Sequence, residues 1–268
     1  MADYYALTNK PLPAELVGYD GEYSIRPISE TDSLAIEDYF FRKGTPINIS
    51  RQATVISVPC GGESNSNMEE FAVLAECALG VLTVTGFVPL QTVAQFNGTS
   101  CTGALQRPCR SLQAGPSFPR GIEGRAASKW LRHFFEARTK THGLHITADR
   151  FVRYLQAIGS RDALVDLCIC LESLLEPDTE ISFRFSTCLA KVCNLEDRAE
   201  VRDILSNLYT LRSRVVHGTD STKAHRKVEP NSTRLRLIAR SILISYVLYM
   251  TNHSKVDWQE HLRNSLLA

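Results

Sequence analysis

The stretch Asn207-Leu208-Tyr209-Thr210-Leu211-Arg212-Ser213-Arg214-Val215-Val216-His217-Gly218 encodes a helix and its stop. Leu208, Leu211 and Val215 recur at i, i+3, i+7, an apolar stripe that docks a helix on its neighbours. The pattern reaches back to Asp197, so the spacing predicts a helix over Asp197–Val216 ended by His217-Gly218. Ser213 and His217 are four apart and share a face, with Arg214 bordering it. Arg212 falls on the opposite flank of the stripe. Bringing it to His217 requires irregular geometry at the Gly218 end or a symmetric partner chain. A histidine at a helix C-terminus sits where the dipole favours the imidazolium. Beside guanidinium groups it suits work on a phosphodiester: the Arg neutralises phosphate bidentately and the His moves a proton. Arg and His are also ordinary in a last helical turn, because they complement the dipole and the free carbonyls.

Outward from this segment the C-terminal half reads as helix. Ala126–Arg138 places Trp130, Leu131, Phe134 and Phe135 on one face. A second helix is expected from a Thr147 cap through Phe151, Tyr154, Leu155 and Ile158 to Gly159. Ser160 then caps Arg161–Leu175, which Glu176-Pro177 ends. The next helix runs from about Asp178-Thr179-Glu180 to Cys193. Beyond Gly218 a polar loop over Thr219–Pro230 precedes helices over Ser232–Met250 and Lys255–Leu267.

Three motifs in order across this half carry a resemblance. Tyr209, Arg212-Ser213, Val216-His217 and Gly218 fit the form Y-x-x-R-S-x-x-V-H-G. Upstream lie Ala163-Leu-Val-Asp-Leu-Cys-Ile-Cys-Leu171-Glu172-Ser-Leu-Leu, with an LE-x-L signature, and Thr179-Glu180-Ile-Ser-Phe-Arg184 followed by Leu189-Ala190. Together they resemble the HEPN superfamily, in particular its Apea-like domains, over about residues 125–255. The resemblance implies a helical bundle that dimerises through the motif helices. It implies a metal-independent endoribonuclease of defence or stress-response systems, with RNA as partner and no cofactor. Arg212 would bind the scissile phosphate. His217 would be the general acid or base while a ribose 2′-OH attacks, leaving a 2′,3′-cyclic phosphate. After the motif Arg, many HEPN nucleases carry Asn, Asp or His, whereas here Ser213 follows; a hydroxyl can hydrogen-bond a phosphate but is no acid or base near neutral pH. A non-catalytic HEPN module that binds nucleotide or protein in the same groove is therefore the alternative.

Several polar residues could support this site. Glu172 stands in an apolar helix and can orient Arg212 or His217 by an ion pair, pair with Arg184, or face solvent. Glu180 and Arg184 are i, i+4 and can pair with each other. Tyr209 reads as a core aromatic with its hydroxyl at the rim. From Arg198 to Arg240 ten Lys or Arg stand against four acids, a net +6, and the rest of the chain carries −5. A solvated face explains many such runs, yet this one brackets the phosphate site, as an RNA cleft requires. His225-Arg226-Lys227, in the expected loop, would hold the RNA backbone.

The N-terminal half reads differently. Strand-like runs Tyr23–Ile28 and Ala53–Val58, a short helix over Leu34–Arg42 and a longer one over Met68–Leu82 predict a small mixed α/β region. Val81–Val88 is expected to continue as a strand. Gly and Pro crowd residues 97–124, which reads as a linker. The fold class is thus α+β: an accessory α/β region over 1–120 and a helical bundle over 125–268. Gly61-Gly62 lacks the rest of a phosphate-binding motif. The accessory region would sense a trigger, restrain the nuclease or meet a regulatory protein partner.

Composition bounds the rest. The chain has 268 residues, 44% hydrophobic and 22% charged, with net charge +1, enough apolar matter for a real core. Met1–Lys10 has no basic start leading into an apolar run, so neither export nor the sequons at Asn48, Asn97, Asn231 and Asn252 is expected to matter. Phe71–Val88 and Leu235–Met250 are interrupted by Glu76, Gly80, Arg236 and Arg240, which argues against a membrane span. A cytoplasmic location follows as an expectation. The eight cysteines (60, 77, 101, 109, 168, 170, 188 and 193) form no C-x-x-C pair and are expected to be reduced, buried thiols with no metal.

Overall fold

Local signals set the ends of most elements in this computed structural model. It describes residues 2–8, 18–20, 23–45, 47, 49, 53–59, 68–82, 90–97, 99–106, 124–141, 143–156, 160–175, 181–219 and 222–267. The class is α+β. The strands are β1 (Ala2–Thr8), β2 (Gly18–Asp20), β3 (Tyr23–Pro27), β4 (Thr54–Pro59), β5 (Leu90–Asn97) and β6 (Ser100–Gln106). The first helices are α1 (Glu30–Arg42), α2 (Met68–Leu82) and α3 (Gly124–Lys140). Then come α4 (Leu144–Gln156), α5 (Arg161–Glu172), α6 (Ile181–Val192), α7 (Arg198–Val216), α8 (Thr222–Val228), α9 (Ser232–Asn252) and α10 (Lys255–Leu267). The chain divides into two units, residues 1–135 and 136–268.

In the first unit one antiparallel sheet has the strand order β2-β3-β4-β1-β5-β6. β4 is buried on both faces from Thr54 to Val58, so Val55, Ile56 and Val58 are buried without the strict apolar–polar alternation of a strand with one solvated face. On one face Val55, Ala94, Phe96 and Cys101 pack with Ile36 and Phe40 of α1. On the other, Gly103 lies under Met68 of α2, whose Cε a Cβ at that position would meet at 3.5 Å. Ser29 caps α1 in a reciprocal capping box: its hydroxyl accepts from the Asp32 N–H while the Asp32 carboxylate accepts from the Ser29 N–H. Trp130 of α3 donates its indole N–H to the Ala78 carbonyl of α2 at 2.8 Å.

The second unit is all-helical. α4 and α5 pack side by side, and α7 packs on α5 and α6, with α9 and α10 against α6. Phe151, Leu167, Phe185, Leu208, Ile242 and Trp258 are among its buried side chains. At its end α5 is held by α10: Trp258 Nε1 and Gln259 Nε2 both donate to the Leu174 carbonyl, at 2.9 and 3.0 Å. Among the described residues no helix is long and apolar enough to cross a membrane.

Some expectations need correction. Residues 100–106, expected in the linker, form β6, because β5 offers an edge on which this stretch pairs from Ser100 to Gln106. The division into the two compact units falls inside α3, whose first part packs on α2 through Trp130. Thr147 is interior to α4, which begins at Leu144; its hydroxyl bonds Ser173 Oγ at 2.6 Å instead of capping. Thr219–Pro230 is no loop: α8 and a 3₁₀ turn over Glu229–Asn231 occupy most of it. The expected strand Val81–Val88 begins as the last residues of α2, and residues 83–89 lie outside the described residues, as do 107–123, Gly61-Gly62, Gly159, Pro177, Glu180, Cys60 and Cys109. The six described cysteines are buried.

Candidate functional site

Two helices position the motif. α7 starts at Asp197, whose carboxylate accepts the Glu200 N–H at 2.9 Å. Val201, Ile204, Leu205, Leu208 and Leu211 form its buried face. It stays regular to Val216 and closes in a Schellman motif. The Gly218 N–H reaches the Val215 carbonyl, and the Thr219 N–H reaches that of Arg214, with Gly218 at φ 65°. The Thr219 hydroxyl adds a third bond, to the Arg214 carbonyl at 3.0 Å. The closure satisfies the Arg214 and Val215 carbonyls at the end of α7. The α5 helix, capped by Ser160, brings Glu172 as its final residue.

Of the pairings open to Glu172, the structure shows the one with Arg212. Arg212 Nη2 lies 3.3 Å from Glu172 Oε2, with the side chains 28% and 13% exposed. The contact is one-pronged, and the buried Arg212 Nε meets no acceptor among the described residues. Burial pushes the Glu172 carboxyl above its usual pKa, and the Arg212 charge opposes that rise without cancelling it. Tyr209 lies beside the pair, its ring 5.4 Å from Phe185. Burial, then the Glu172 charge, raises its phenol, so it stays protonated near neutral pH. The Cys168 thiol is pushed well up by burial first and by Glu172 second. It is a neighbour of the pair that the motif reading missed, recognisable only as the residue one turn before Glu172 on α5.

His217 is exposed, as are Arg214 and Val216, while Ser213 is half-buried. Among the described residues the His217 side chain forms no hydrogen bond or ion pair. Five helical steps separate Arg212 from His217, which turns them about 140° apart around the axis. One chain therefore gathers Arg212, Glu172 and Tyr209 on one side of α7 and leaves Ser213, Arg214 and His217 toward another.

Beyond Gly218, α8 carries the remaining candidates. Ala224 and Val228 are buried, whereas Lys223, Arg226 and Lys227 are exposed. His225, only 14% exposed, instead has Nδ1 3.6 Å from Glu229 Oε2. Lys223 joins the candidates because α8 is a helix; the buried i, i+4 pair Ala224/Val228 is the sequence signal for it. Among the described residues no group of three or more His, Cys, Asp or Glu is placed to hold a metal ion. Comparisons with protein-family models, with curated proteins and with solved structures find nothing that matches this chain.

Proposed function

We propose that the chain is an endoribonuclease of the HEPN type acting as a homodimer, in which the Arg212 and His217 groups of two chains share one cleft. The observation that carries this reading is the Arg212–Glu172 pair, with His217 of the same R-x4-H motif exposed on another side of α7. A guanidinium can neutralise the phosphate and an imidazole can carry one of the two protons that cleavage of a phosphodiester by a 2′-hydroxyl moves. Arg212 polarises the phosphate. The ribose 2′-oxygen loses its proton to a base and attacks phosphorus, the P–O5′ bond breaks, and the leaving 5′-oxygen takes a proton. His217 is one of the two proton carriers. The products are a 2′,3′-cyclic phosphate and a 5′-hydroxyl. The 140° divergence within one helix is the reason for invoking a second chain.

That divergence, with Ser213 in place of a stronger acid or base, favours the second reading of a non-catalytic module. Incubating the protein and its His217→Ala variant with single-stranded RNA in EDTA separates the two. Cleavage by the wild type that the variant loses supports the nuclease, and equal cleavage by both sinks it. Sedimentation at tens of micromolar tests the dimer, which a monomer there would contradict.

A further inference from the structure

We infer that α8 is a rigid grip for the phosphodiester backbone of single-stranded RNA, made by Lys223, Arg226 and Lys227 and blind to sequence. The inference rests on the nuclease reading for the identity of its polyanion, but its geometry is independent of catalysis.

The three cations stand at i, i+3 and i+4, so they share one face of α8, and all three are exposed. Ala224 and Val228 fix the opposite face in the core. Arg161 of α5 donates to Thr222 Oγ1 at 3.2 Å and ties down the start of the helix. The Asn231 side-chain amide donates to the Lys227 carbonyl at its end. Among the described residues none of the three cations has an acidic partner, whereas the neighbouring acid Glu229 is directed to His225. The cations are therefore displayed on a fixed element without internal neutralisation, a few residues past His217. A solvated face would show this exposure as well. What it would not require is a separate seven-residue helix docked by its apolar side, with Glu229 placed toward His225 and away from the three cations among the described residues.

The chemistry of the face defines the ligand. α8 has no Phe, Tyr or Trp, so it offers charge without a stacking platform. Charge without base contact reads phosphates and not sequence. His225, 14% exposed with Nδ1 3.6 Å from Glu229 Oε2, is left out of this face.

The test measures binding without turnover. Full-length protein carrying His217→Ala is titrated against a fluorescein-labelled single-stranded RNA of about 20 nucleotides at several salt concentrations. Each single-strand phosphate contact contributes about 0.7 to the slope of log K against log salt. Lys223→Gln/Arg226→Gln/Lys227→Gln is expected to lower that slope by about 2 and the affinity about 100-fold at 0.1 M salt. Lys223→Gln alone should lower it by about 0.7, which keeps the test open if the triple variant folds poorly. Gln preserves helix propensity. A control with Arg42→Gln/Lys43→Gln/Lys129→Gln, exposed cations of the other unit, should keep the parent slope. Two RNAs of unrelated sequence should bind alike.

An α8 variant with the parent slope overturns the inference, as does a parent protein that binds poly-glutamate but no RNA. If RNA binds through α8 and the wild type never cleaves it, the nuclease reading fails and the grip stands. If the wild type cleaves while the α8 variants keep the parent slope, the grip fails and the nuclease stands.

Discussion

Arg212 on α7 and Glu172 at the end of α5 are joined by an ion pair at 3.3 Å. Two residues past the end of α5, the Leu174 carbonyl accepts from Trp258 and Gln259 of α10. The motif arginine is thus braced against a fixed point of the fold. Breaking the brace should be felt in stability.

Glu172→Ala leaves a largely buried guanidinium without its acceptor. Removing one partner of such a pair is costlier than the pair itself is worth. A loss of about 1–3 kcal/mol is expected in urea unfolding. A double-mutant cycle with Arg212→Gln should return a coupling of about 1 kcal/mol. Additive effects would mean that the pair is not maintained in solution.

The pH dependence has a defined sign. Burial raises the folded-state pKa of Glu172, with Arg212 opposing. Between its unfolded value of about 4.3 and the higher folded value, the folded state binds more protons. Stability from this group therefore falls as pH rises through that window. Glu172→Gln removes the titration, so its stability relative to wild type should improve from acid toward neutral pH. A pH-independent difference would contradict the assignment.

Asp32 behaves in the opposite way. Burial works to raise its pKa, but hydrogen bonds from Arg26 and Ser29 outweigh it and the carboxyl is lowered. Its contribution is complete above the unfolded value of about 3.9 and is lost as pH falls toward the folded one. Ser29→Ala should cost about 1 kcal/mol through the cap and flatten the acid limb of a stability–pH curve. An unchanged limb would show that the capping box is not formed.

Gly218→Ala probes the end of α7. With φ 65° and nothing within 4 Å of the added Cβ, the cost is backbone strain without a clash, about 1–2 kcal/mol. Hydrogen exchange at the Thr219 amide, which bonds the Arg214 carbonyl, should accelerate. Protection equal to wild type would argue against the Schellman closure.

The site was half legible in advance. The α7 bounds, the Gly218 stop and the Ser160 cap are local, since side-chain period, cap chemistry and positive φ act within a few residues. Divergence of Arg212 from His217 follows from helical geometry alone. Glu172's choice among Arg212, Arg184 and solvent does not, because its partner lies forty positions away on another helix. α8 was missed for a different reason: Lys, His, Arg and Thr over seven residues give a weak local pattern, and burial of Ala224 and Val228 supplies the stabilisation that propensity lacks.

By itself, then, the sequence determined an α+β chain, the extent of Met68–Leu82 and Lys255–Leu267 as helices, and a cancelled charge with +6 gathered around the motif. These depend on short-range periodicity and on counting. Only the tertiary structure decided the sheet order, the pairing of Ser100–Gln106 as a strand, the Glu172–Arg212 brace and the exposed cationic face of α8. Each of these is a contact between segments distant in sequence. Its energy comes from desolvation and neighbouring groups that no single stretch contains.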